Sequence, residues 1–76
     1  MKDISGEERI KKIGAKIKKL RADKGYSSYE DFAFKKGFDR KQMWRVEQGQ
    51  NLKLTSLIAI LDALETPLSE FFRDIE

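Results

Sequence analysis

The run Asp39-Arg-Lys-Gln-Met-Trp-Arg-Val-Glu-Gln-Gly49 constrains the chain most, because it reads as a short helix marked at both ends. Asp39 is a good N-cap, since its carboxylate can accept bonds from the first free backbone N–H groups, and Gln42 completes a capping-box spacing. Gly49 is a natural stop, because glycine takes a left-handed conformation without steric cost. At about 100° per residue, Met43 and Val46 fall together on one side. Lys41, Trp44, Arg45 and Gln48 fall on the other, and Arg40 stands in the first turn. The outer stripe carries long donor side chains and no acid. A solvated face is the plainest reading of such a stripe. The same stripe also suits the major groove of DNA, where arginine and lysine bond guanine edges.

The preceding residues favour the second reading. Ser28 is an N-cap candidate for a helix over Tyr29 to Lys36, with Ser27 and Glu30 offering a competing capping box. Gly37 ends that helix and supplies the conformation a tight turn needs; Phe38 is an apolar anchor in the turn. Ala33, four residues before Gly37, is small enough to let two helices cross closely. Phe32, Ala33, Phe38, Met43 and Val46 would share one core. Earlier in the chain, Ser5 and Glu8 form a capping box for a first helix beginning near Gly6 or Glu7 and reaching about Lys24. Ile10, Ile13, Ile17 and Leu20 form its buried stripe. Arg21 lies about 20° from Ile10 on the helical wheel, so its charge needs a partner. Glu47, at the matching edge of the Met43–Val46 face, is the expected one.

Together, Ala33, Gly37, Met43 and Val46 resemble a helix-turn-helix DNA-binding unit. The wider set, Ile13 to Arg21, then Phe32-Ala33, then Val46-Glu47-Gln-Gly49, is similar to the Xre/Cro-like phage-repressor family over roughly residues 9 to 72. The resemblance implies an all-α fold, a compact five-helix lambda-repressor-like domain, and the same Arg21–Glu47 pair. It also implies sequence-specific binding to double-stranded DNA by a transcriptional regulator, expected to be a repressor. There are departures. The family usually has a phosphate-holding glutamine where Tyr29 stands, although a tyrosine hydroxyl can also donate to phosphate. Trp44 occupies a place that is usually small or polar. Met43 replaces a branched aliphatic residue.

Composition narrows the function classes. Without cysteine or histidine the chain lacks thiolate chemistry, the commonest metal ligand and the commonest general base, so an enzyme is not expected. No cofactor or metal is expected either. No apolar run is long enough for a membrane span and no signal-peptide core is visible, which makes the cytoplasm the expected location. The length suits one domain over residues 1–76, with residues 1–5 expected to fray. The net charge of +3 is modest, but its distribution is uneven. Residues 9–53 carry fourteen bases and five acids, whereas residues 54–76 carry one base and five acids. One side is therefore suited to a polyanion.

Beyond Gly49, residues 49–54 read as a loop. Thr55 caps a fourth helix from Ser56 to about Leu64, whose Leu57, Ile58, Ile60, Leu61 and Leu64 cover an arc too broad for one contact surface. Thr66-Pro67 opens a fifth helix with proline at its first position, and Leu68, Phe71 and Phe72 give it an apolar side. These expectations converge on a recognition helix over residues 40–48. Arg40, Lys41, Trp44 and Arg45 are its candidates for base contacts. Ser28, Tyr29, Gln48, Asn51 and Lys53 are the candidates for phosphates. A module this small reads few bases, so a homodimer on a palindromic operator is expected, with the apolar surface of helices four and five either its contact or the closure of a monomer core. The alternative is an antitoxin or another module whose task is to hold a partner protein. A chain ending at Glu76 leaves little room for a partner-binding tail and leans toward the regulator.

Overall fold

Capping side chains and glycines set the ends of the second and third helices in the computed structural model, which describes residues 6–75. The order is α1 Gly6–Asp23, α2 Tyr29–Lys36, α3 Arg40–Glu47, α4 Leu54–Ala63 and α5 Leu68–Phe72. No strand occurs among the described residues. The capping box at Ser5 and the fraying of residues 1–5 lie outside the described residues.

Helix α1 stops one residue before the expected Lys24. It buries Gly14, Ile17 and Arg21, while Ile13 and Leu20 pack at the edge of the core. Gly14 marks a close approach of two backbones. A Cβ there would stand 2.2 Å from the Val46 carbonyl oxygen, so α1 meets the end of α3 with no side chain between them.

At the start of α2 the competition between two caps is resolved for Ser28, whose Oγ accepts the Asp31 N–H at 3.0 Å. Ser27 instead donates its backbone N–H to the Asp31 carboxylate at 3.2 Å. Gly37, at φ 76°, turns the chain out of α2, and the Phe38 N–H closes the turn on the Ala33 carbonyl at 2.9 Å. Phe38 then stacks on the buried Phe32 with ring centroids 5.5 Å apart, and Tyr26 meets Phe32 edge-on at 5.0 Å.

Helix α3 opens on Asp39, whose carboxylate accepts the Gln42 N–H at 2.9 Å. The expected box is only half used. Gln42 does not reach back to Asp39; its Nε2 donates to Ser56 Oγ at 2.9 Å and ties α3 to the first turns of α4. Met43 is fully buried and Val46 is 2% exposed. Helix α3 ends at Glu47, with Gln48 as its C-cap and Gly49 following at φ 85°.

Two helix starts differ from expectation. Helix α4 begins at Leu54, with Lys53 rather than Thr55 at the N-cap position and no side-chain cap bond. A cap is worth only about 1 kcal/mol, less than seating the apolar face of this helix. Leu57, Ile60, Leu61 and Leu64 are all buried, and the helix follows them. Helix α5 begins at Leu68, so Pro67 is its N-cap rather than its first helical residue. Thr66 turns inward, donating Oγ1 to the Leu64 carbonyl at 3.1 Å. The broad arc of α4 divides as its width implied: four residues close the core, while Ile58 stays 38% exposed. On α5, Phe71 is fully buried, and Leu68 and Phe72 are 44% and 38% exposed. Lys16 of α1 donates to the Phe71 carbonyl and lies over its ring, 5.2 Å from the centroid, which holds α5 against α1.

Candidate nucleic-acid interface

Helix α3 is held from behind by an ion pair. Arg21 Nε donates to Glu47 Oε2 at 2.6 Å and Nη2 to Oε1 at 3.2 Å, a forked geometry in which both carboxylate oxygens are engaged. Arg21 Nη1 donates further to the Tyr26 carbonyl at 2.8 Å. The two side chains are only 6% and 5% exposed. Among the described residues no buried side-chain polar atom lacks a partner. The pair therefore couples α1, the α1–α2 loop and the end of α3 through satisfied bonds, which is the condition under which a buried charge is tolerated.

The opposite face of α3 is open. Arg40, Lys41, Trp44 and Arg45 are exposed and, with the half-buried Tyr29 of α2, line one cleft. No acid stands in the first turn of α3. Lys41 and Arg45 form no ion pair among the described residues. Arg40 reaches Glu30 of α2 at 3.5 Å, with side chains 64% and 53% exposed. A surface pair of that kind is worth about 0–1 kcal/mol, so a phosphate or a base edge can replace Glu30 at small cost. The three cations thus remain available on one surface. Tyr29 packs its ring against the core, and its hydroxyl has no bond within the described residues.

A second cleft joins Arg45 to Asn51 and Lys53 of the α3–α4 loop, with Asp39, Gln42, Thr55 and Ser56 also on its walls. Arg45 borders both clefts, so the groups expected at bases adjoin Tyr29, Asn51 and Lys53 of those expected at phosphates. Ser28 adjoins this surface at the start of α2. Its oxygen is already an acceptor for Asp31, which leaves the hydroxyl proton free to donate. Gln48 is exposed at the far end of α3 and lines neither cleft. In the sequence Thr55 and Ser56 signal only the opening of α4, and Glu30 only part of a cap. Their places beside the clefts depend on how helices cross, for which the sequence holds no local signal.

A short helix locked on its inner side, preceded by a glycine turn and a first helix, with cations outward, defines a helix-turn-helix DNA-binding domain. The family model of the Cro/C1-type HTH DNA-binding domain matches residues 16–76, and the chain belongs to that family. Among its relatives, control protein C.MunI of a Mycoplasma species is 41% identical over 66 residues, which covers 86% of this chain and 89% of that protein. No solved structure matches the chain. No described helix is long and apolar enough to cross a membrane.

Proposed function

We propose that this DNA-binding transcriptional regulator represses from a palindromic operator, with α3 in the major groove. The observation that carries the reading is the division of α3. Met43 and Val46 are sunk in the core while Arg40, Lys41 and Arg45 stand exposed around one cleft. On this reading Arg40, Lys41, Trp44 and Arg45 contact bases. Ser28, Tyr29, Gln48, Asn51 and Lys53 contact the sugar–phosphate backbone on either side. A control protein among the relatives fits a regulatory role, and the site of action is the bacterial cytoplasm, where the operator lies.

Two copies meet through α4 and α5. Leu54, Ile58, Leu68 and Phe72 are 68%, 38%, 44% and 38% exposed, an apolar set that a second copy would cover. Neither the family nor the relative's name points to a protein-holding role, and the regulator is the reading adopted. Selection of bound duplexes from a random pool tests it, followed by a salt titration of the winner. The expected result is a two-fold symmetric site whose affinity falls steeply with salt, as phosphate contacts require. A pool that yields no preferred sequence, with salt-independent binding, would overturn it.

A further inference from the structure

Trp44 is the one large apolar side chain on the outward face of α3. The residue is 43% exposed and, among the described residues, its indole makes no hydrogen bond, ring contact or cation–π contact. At about 100° per residue it falls between Arg40 and Lys41 on the helical wheel, one turn further along. Tyr29 and Arg45 complete the cleft around it. The cations can bond base edges or phosphates. The indole can do little of either, because its single N–H is its only polar group.

The major-groove edges of the bases present donors, acceptors and one apolar group, the C5 methyl of a pyrimidine. We infer that the Trp44 cleft is a specificity pocket for a 5-methylpyrimidine in duplex DNA, with Trp44 packed on the methyl group and Arg40, Lys41 and Arg45 fixing the helix around it. This rests on the placement of α3 in the major groove and adds the chemical class of base that one position selects. Thymine and 5-methylcytosine carry the same methyl group, and the two are separable by experiment.

The test uses the full chain and its selected duplex. Each thymine is replaced in turn by uracil, which deletes the methyl and leaves the Watson–Crick edge intact. In a parallel set each cytosine is replaced by 5-methylcytosine. Affinity is read for the wild type, Trp44→Ala and Trp44→Leu. One uracil substitution is expected to weaken the wild type about fourfold, the worth of burying one methyl group, and to leave Trp44→Ala unaffected. Trp44→Leu, which keeps an apolar surface, should retain part of the effect. A gain on one 5-methylcytosine that vanishes in Trp44→Ala, with no uracil effect, would support the same pocket with the other base. The inference is overturned if no substitution changes affinity, or if Trp44→Ala responds to the same substitution as strongly as the wild type. A wild-type chain with no preferred duplex would overturn the groove placement as well, which separates the two failures.

Discussion

At the scale of single residues, two charges differ in what they do because they differ in burial. Arg21 is shut away with Glu47, so its loss leaves a buried carboxylate with no counter-charge. Arg21→Ala is expected to destabilise the fold by about 3–5 kcal/mol, and replacing both partners by apolar residues should cost less. Urea unfolding of the two single variants and the double variant measures this, and an Arg21→Ala chain as stable as wild type would remove the pair from the account. Arg45 and Lys53 are exposed, and their losses should appear in binding instead. Arg45→Ala should cost about 1–3 kcal/mol on the preferred site and relax one base pair. Lys53→Ala should weaken all sequences alike and lower the salt slope by about one. Gel shifts on single-base variants separate the two patterns. The Arg21–Glu47 pairing was legible because a charge at the edge of an apolar stripe asks for a partner. Gly14 was not, because its requirement is set by the Val46 carbonyl of another helix. Asp31 shows a smaller electrostatic effect. A hydrogen bond from Lys35 holds its carboxyl below the usual aspartate value, with the Ser27 N–H adding to it and partial burial opposing it. A depressed carboxyl stabilises the fold above its unfolded value, and this contribution is lost as pH falls through the lower, folded one.

Among the elements, helix ends with a capping side chain were easier to read than ends set by packing. Ser28, Gly37 and Asp39 stand at their expected stations. Thr55 and Pro67 do not, because burial of Leu57, Ile60, Leu61 and Phe71 sets where α4 and α5 can lie. Gln42 shows the same limit in another form. Its spacing from Asp39 suggested a purely local bond, yet its amide spans to α4. Removing either end of the Gln42–Ser56 bond is expected to cost about 1 kcal/mol. In a double-mutant cycle, Gln42→Ala and Ser56→Ala should be less than additive. Strict additivity in thermal unfolding would show that the bond does not join the elements.

For the molecule as a whole, the charge division along the chain becomes a division of duties. The basic stretch 9–53 carries the cations of both clefts, and the acidic stretch 54–76 carries the exposed Leu54, Ile58, Leu68 and Phe72. Acidic character there disfavours contact with a polyanion, which on the proposed reading leaves that side to a second copy. We expect a weak homodimer, tightened by DNA, in sedimentation at several concentrations. Ile58→Asp should shift it to monomer without unfolding it, because that side chain is only partly covered. A strict monomer that binds one isolated half-site with full affinity would remove the dimer.

The inner and outer residues of α3 also alternate like two texts written on one ribbon. Gln42, Met43, Val46 and Glu47 each touch the rest of the protein, whereas Arg40, Lys41, Trp44, Arg45 and Gln48 make up its exposed face. The outer text can therefore be rewritten while the inner one stays. A chain carrying a different set of five outer residues should keep its helical content and cooperative melting, and answer to a different operator. On the proposed reading the protein is a reusable mount, and retargeting it would be a change of lettering rather than of architecture.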